Sequence, residues 1–220
     1  MNSTNIKISL LVFMGITISI ITGCASSDEE LPYYTISKEF KDYCWFDDGS
    51  YWIFQNDSTL VTDSVKIDEV IEDTRYDLEQ EDFSYQAFDM YIKSNIFGIK
   101  RYELTAGDYR ASPGKMNSLL RLYKDDGSYQ LVFSPQYPIG HDIIMGDKIG
   151  VYTNVELMET FALNGNTYND IFHTRVIISV DTAIEYNYWT AKNYSLIKWV
   201  STSNGKTTSI SLRNANLIAP

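Results

Sequence analysis

Two Asn-Gly dipeptides, each set between runs of alternating side chains, commit the end of this chain to paired antiparallel strands. Asn-Gly is the favoured chemistry of a two-residue hairpin because both central residues need positive φ. Folding about Asn204-Gly205 sets Trp199 opposite Ile210, Ile197 opposite Leu212 and Ser201 opposite Thr208. The other face then pairs Lys198 with Ser211, Val200 with Ser209 and Thr202 with Thr207. One face is apolar and the other mostly polar, so turn and pattern agree on the register.

Asn164-Gly165 predicts a second hairpin, with Phe161 against Tyr168 and Leu157 against Phe172. It also sets Glu159 opposite Asp170, and like charges there destabilise. A bulge that shifts the register, solvent exposure of the pair, or a cation between the two would each resolve the conflict. Tyr186 to Ala191 reads as a further strand, which makes the last third a β-meander of about four strands.

Upstream, Asp47-Asp48-Gly49-Ser50-Tyr51 recurs as Asp125-Asp126-Gly127-Ser128-Tyr129, each copy leading into an apolar run. The alternating acids and downstream Glu of a calcium loop are missing, so Asp-Gly turn chemistry entering a strand is the plainer reading. Thr59 to Val70 alternates as a strand. Glu69 to Asp82 then crowds in acids, with Asp63 and Asp68 just before, and predicts a solvated loop or short helix. Ser112-Pro113-Gly114 and Ser134 to Gly140 read as loops, and Met116 to Tyr123 as a short helix. The whole predicts an all-β, mostly antiparallel domain: a strongly curved meander sheet or half-open barrel, with a β-sandwich as runner-up.

The first thirty residues read as an address. Lys7 is followed by an apolar stretch from Ile8 to Ile21, which ends Ile21-Thr22-Gly23-Cys24 before polar Ser26-Ser27-Asp28. That layout is a secretory signal of ordinary length, and it is too short to span a bilayer. With Cys24 at its end it resembles the lipobox of bacterial lipoproteins, in which the thiol receives a diacylglycerol and the new amine an acyl chain. Three chains, at about 0.8 kcal/mol per buried methylene, would anchor the protein permanently. The expected organisation is residues 1–23 as signal, 24–32 as an acidic flexible tether and 33–220 as one β-rich domain. The tether, Ala25-Ser26-Ser27-Asp28-Glu29-Glu30, looks like the acidic export tag of surface lipoproteins of Bacteroidota. A charged linker on a periplasm-facing protein is the alternative.

Cleavage before Cys24 leaves 197 residues, enough for one full core, with 17 basic and 29 acidic side chains and a net charge of −12. Such a surface repels phosphate backbones, so nucleic acid is an unsuitable partner. Cys44 becomes the sole thiol besides the acylated one, which excludes an internal disulfide and suits a small core residue. His141 reads as a loop residue and His173 as an exposed strand residue. No Gly-x-Ser-x-Gly elbow, phosphate-cradling glycine loop or clustered metal ligand set occurs. Neither a cofactor nor a metal is expected. Catalysis would need a carboxylate pair facing one cleft, as in a glycan-active hydrolase.

Three stretches, Gly49-Ser50-Tyr51-Trp52-Ile53-Phe54-Gln55-Asn56-Asp57-Ser58, Asn166-Thr167-Tyr168-Asn169-Asp170-Ile171-Phe172-His173 and Tyr188-Trp189-Thr190-Ala191-Lys192 with Leu196-Ile197-Lys198, resemble uncharacterised lipoproteins of Bacteroidota. These share a Trp-Tyr strand near the start and a Tyr-Tyr-Ala-Lys-Gly-x-Gly-Leu-Ile-Lys segment near the end. Asn193-Tyr194-Ser195 stands here in place of Gly-x-Gly. The resemblance implies a membrane-anchored lipoprotein of the outer membrane and carries no activity. Composition and resemblance together lead to the expectation of a surface-exposed, non-catalytic binding module whose partner is a glycan or an outer-membrane protein. A periplasm-facing half-barrel that binds a lipid or acyl chain is the alternative.

Overall fold

The computed structural model describes residues 31–77, 83–94, 96–108, 116–144, 150–179 and 183–220. The signal, Cys24 and nearly all of the acidic tether lie outside these residues, as does the loop expected at Ser112-Pro113-Gly114. From Pro32 onward the chain is one unit built on a single sheet.

Its first half runs through β1 (Tyr33–Tyr34), a short helix α1 (Lys38–Cys44), β2 (Tyr51–Asn56), β3 (Thr62–Asp77), β4 (Phe83–Lys93), β5 (Ile99–Asp108), β6 (Asn117–Lys124) and β7 (Tyr129–Phe133). The second half is β8 (Asp142–Ile144), β9 (Val151–Leu163), β10 (Asn166–Ser179), β11 (Ala183–Ala191), β12 (Ser195–Ser203) and β13 (Lys206–Asn216). Each half is an antiparallel meander, and the two join where β13 pairs with β2. The sheet therefore reads β7-β6-β5-β4-β3-β2-β13-β12-β11-β10-β9-β8, with β1 alongside β4, and it does not close into a barrel.

Both Asn-Gly turns fold as their chemistry requires. Asn164 and Gly165 have φ of 52° and 83°, and Asn204 and Gly205 have 51° and 72°. Trp199 pairs with Ile210, Lys198 with Ser211 and Thr202 with Thr207, and in the other hairpin Tyr168 pairs with Phe161 and Phe172 with Leu157. Glu159 and Asp170 are both solvent-exposed, which removes their conflict; Asp170 takes a φ of 52° and the register shifts nearby, between His173 and Thr174. The closing meander holds five strands from Val151 on, one more than the pattern suggested.

Two expectations are corrected. The acidic stretch from Glu69, expected as a loop or short helix, is strand as far as Asp77: β3 runs through it past a bulge between Ile67 and Glu69, and residues 78–82 lie outside the described residues. A strand tolerates such charge because alternate residues project into solvent, where Glu69 and Asp73 lie exposed. The segment expected to be helical, Met116 to Tyr123, falls mostly in strand β6, where Leu120 and Leu122 face the core and Arg121 and Tyr123 the other side. The Leu-Leu-x-Leu run fits either period at this length, and pairing with β5 decides it.

Helix α1 is capped by Ser37, whose hydroxyl accepts from the Phe40 N–H. Its Phe40, Tyr43 and Cys44 fall at i, i+3 and i+4 and are buried together. Phe40 and Tyr43 pack on Phe133 of β7 at ring distances of 5.6 and 5.1 Å, and Tyr43 also meets Phe172 of β10 at 5.7 Å. One turn of helix thus ties both halves of the sheet.

The β7 side is pinned without a backbone ladder. Thr174 of β10 donates its hydroxyl to the Val132 carbonyl, Tyr188 of β11 donates to the Gln130 side chain, and Asn154 of β9 donates to the Ser134 and Tyr137 carbonyls. The Tyr152 hydroxyl accepts from the Ser134 N–H. These bonds hold the first meander against the second and curl the sheet around its aromatic core.

The turn between β11 and β12 runs through Asn193-Tyr194-Ser195. Asn193 and Ser195 have φ of 63° and 60°. This left-handed geometry is tolerated by Asn193 and strained at Ser195. Ser195 is also 1% exposed, and its hydroxyl has no hydrogen-bond partner among the described residues. Ser195→Gly should therefore raise stability by about 1 kcal/mol, because relief of backbone strain and of a buried unpaired hydroxyl outweighs the extra freedom of glycine when unfolded. Urea unfolding checks this, with Ser195→Ala gaining less because it keeps the strained Cβ.

Candidate functional site

On β4, β5 and β6 the residues that alternate with the core carry a cluster of linked ion pairs. Met90, Tyr102, Leu104, Leu120 and Leu122 point into the core. The opposite face presents two cross-strand rows. One runs Asp89, Glu103, Arg121; the other runs Tyr91, Arg101, Tyr123, Tyr129.

Asp89 directly opposite Glu103 would be destabilising alone. Arg75, reaching across from β3, binds both: one guanidinium nitrogen lies 2.6 Å from Asp89 and the other hydrogen-bonds Glu103. Arg121 donates to the second Glu103 oxygen at 2.6 Å, and the Tyr123 hydroxyl donates to that oxygen at 3.3 Å. Glu103 is only 2% exposed beneath this cover. Burial pulls its carboxyl up, but Arg121 and Arg75 outweigh that and hold it below the ordinary glutamate value. Burial works against the charge of Arg75 and Arg121 as well, and Glu103 more than restores it, so both guanidinium groups sit above their usual value.

Arg101 is the arginine left over. Its contacts are long, 3.4 Å to Asp89 and 4.0 Å to Glu103, and its guanidinium rests 4.0 Å over the Tyr123 ring. No hydrogen bond holds it among the described residues. Beside it opens a hollow of about 420 Å³, lined by Asp68, Tyr91, Lys93, Lys100, Arg101 and Tyr123. Tyr91 is exposed there. Lys93 is ion-paired with Asp68 at 2.6 Å and Lys100 with Asp125 at 3.1 Å, so Arg101 is the cation of the hollow without a close carboxylate, and with the two phenol rings it can hold an anionic or hydroxyl-rich ligand by charge-assisted hydrogen bonds and ring contact.

Other places carry less. His173 is not a freely exposed strand residue as expected: its ring lies flat on Trp189, 4.5 Å away at 4°, and Nε2 is 2.9 Å from the Asn187 side-chain oxygen. Lys198 covers Trp189 from the neighbouring strand at 5.2 Å, so that ring is occupied by its own chain. His141 is an exposed loop residue. Cys44 is buried, which pushes its thiol well above the ordinary value and leaves it a core residue. Among the described residues no group of three or more His, Cys, Asp or Glu is placed to hold a metal. No helix among them is long and apolar enough to cross a membrane.

The hollow inside the curl, lined by Phe97, Leu122, Tyr186, Tyr188, Trp199 and Ile210, measures about 170 Å³. That is below the roughly 300–1,000 Å³ usual for ligand pockets and leaves little room for an acyl chain. Asp89 and Glu103 are a close carboxylate pair, but a general acid needs a raised pKa, whereas Glu103 is held low.

The sequence reading singled out none of Arg75, Asp89, Arg101, Glu103 or Arg121. The signal available was the alternation of charge with apolar residues in Arg101-Tyr102-Glu103-Leu104 and Leu120-Arg121-Leu122. Alternation says that the charges share a face and not that they meet. Compared with known proteins, the chain matches no family model, no curated protein and no solved structure.

Because the folded Glu103 value lies below the unfolded one, its contribution is complete above the unfolded glutamate value of about 4.3 and is lost as pH falls through the folded value. Glu103→Gln should cost about 3 kcal/mol at pH 7, since it leaves Arg75 and Arg121 without their counter-charge. Unfolding midpoints in urea at pH 7 and pH 3 should show the loss shrinking at the lower pH.

Proposed function

We propose that the mature chain is a lipid-anchored, non-catalytic binding module displayed on the outer face of the outer membrane, and that its ligand is a glycan taken in the hollow beside Arg101. The observation that carries this reading is Arg101 itself: partly open at 24% side-chain exposure, loosely held at 3.4 and 4.0 Å, and rigidly backed by the Arg75–Glu103–Arg121 network. The volume of about 420 Å³ suits one or two sugar rings. In a mature chain of net charge −12, a guanidinium at the hollow with no carboxylate closer than 3.4 Å, beside two lysines paired with Asp68 and Asp125, favours a sugar bearing carboxylate or sulfate. Anchoring is assigned to Cys24 and surface display to the acidic tether that follows it.

Binding of the mature protein to uronate-containing and sulfated polysaccharides, followed by calorimetry, tests the ligand. Arg101→Ala should weaken binding at least tenfold and Tyr91→Ala severalfold, with unfolding midpoints little changed. If no acidic polysaccharide binds, or if Arg101→Ala binds as well as the parent, the glycan assignment fails. Protease treatment of intact cells tests the address: the domain should be removed from cells carrying the parent protein, and Cys24→Ala should leave it out of the membrane fraction. Protection until the outer membrane is breached would put the protein on the periplasmic side.

A further inference from the structure

The two edges of the sheet are treated differently. The β7 side is covered by side chains of β9, β10 and β11. At the other end β8 pairs only with Val151–Thr153 of β9, and one isolated bridge from Ile139 reaches Asn154. From Val155 to Leu163 the outer side of β9 meets no strand among the described residues, while its inner side is paired with β10 throughout most of that length.

The composition of this open edge is unusual. Val155-Glu156-Leu157-Met158-Glu159-Thr160-Phe161-Ala162-Leu163 has no proline and no lysine or arginine, the residues with which edges are ordinarily blunted. Leu157 is 54% exposed and Val155 36%. The two-residue turn at Asn164-Gly165 makes Leu163 and Asn166 a hydrogen-bonded pair. Alternation then directs the N–H and C=O of Thr160 and Ala162 away from β10, to the open side. Backbone groups, apolar side chains and rigid backing are all present for one more strand.

We propose that β9 accepts an extended segment of a partner protein as an added antiparallel strand, apolar at alternate positions and basic where it faces Glu156 and Glu159. Charge decides between this occupant and a second copy of the chain. Self-pairing centred on this run would set Glu159 directly opposite its own copy between two strongly acidic chains, whereas a lysine- or arginine-bearing strand neutralises it. The site is independent of the hollow beside Arg101, which lies on β3 to β6.

The test uses the mature chain and a labelled ten-residue peptide of alternating valine and threonine with two lysines, read by fluorescence anisotropy. Binding should be saturable, should weaken with salt, and should slow amide exchange at Thr160 and Ala162. Thr160→Pro removes an outward N–H without breaking the ladder to β10 and should weaken binding at least tenfold, while Thr160→Ala should not. Glu156→Lys with Glu159→Lys should reverse the preference toward a peptide with glutamates in place of lysines, which keeps the test decisive if the proline variant folds poorly. Equal binding by Thr160→Pro, or no reversal by the charge variant, would overturn the proposal. So would protection of these amides by concentration-dependent dimerisation in the absence of peptide.

Discussion

A sheet of this many strands has two edges whose backbone groups must find partners, and on the β7 side they find them on side chains from the far half of the molecule. The hydroxyl of Thr174 on the Val132 carbonyl and the amide of Asn154 on the Ser134 and Tyr137 carbonyls do what a neighbouring strand would otherwise do. All of these partners are buried, so each bond is formed away from competing water and would be costly to leave unmade. The curl follows. Phe133 is brought within 5.0 Å of Phe172, the aromatic core closes between the two meanders, and α1 has a surface on which to set Phe40 and Tyr43.

The outer face of β3 to β6 depends on that arrangement. Because the apolar side chains of these strands are consumed by the core, the alternate positions are free to carry charge. Three arginines around two carboxylates make a network in which the buried members have no slack. Arg101, held at 3.4 and 4.0 Å, is the loosest member of that network. The contrast with Trp189 is instructive. An indole on a sheet face could serve as a sugar platform, yet His173 and Lys198 sit on Trp189 through the strand register, and its ring faces are spent within the chain.

The turn at Asn193-Tyr194-Ser195 shows left-handed backbone held by its surroundings and not by glycine. Left-handed geometry persists at both ends of the tripeptide although glycine is absent. The reason lies in what the turn touches: the Asn193 N–H donates to the Asp42 carbonyl at the end of α1, and the Tyr194 carbonyl accepts from the Trp52 indole at 2.7 Å. Tertiary contacts over-determine the backbone there, and the strain persists because of them.

Local chemistry was legible in the residues wherever a turn and a periodicity pointed the same way. Asn204-Gly205 and Asn164-Gly165 determined their hairpins pair by pair, Asp-Gly turns led into β2 and β7, and the all-β, curved, unclosed sheet followed from counting such segments. Charge and composition misled where they were read without a partner strand. The acids after Val70 suggested a loop because nothing local says that β4 waits to pair with them, and Leu119-Leu120-Arg121-Leu122 satisfies helix and strand periods alike. What only the tertiary structure decided is which residues distant in the chain meet: β13 beside β2, Thr174 on β7, and Arg75, Asp89, Glu103 and Arg121 from four strands in one cluster. A period of two assigns each side chain to a face, but strand order decides its neighbours, and strand order is set by the collapse of the whole core.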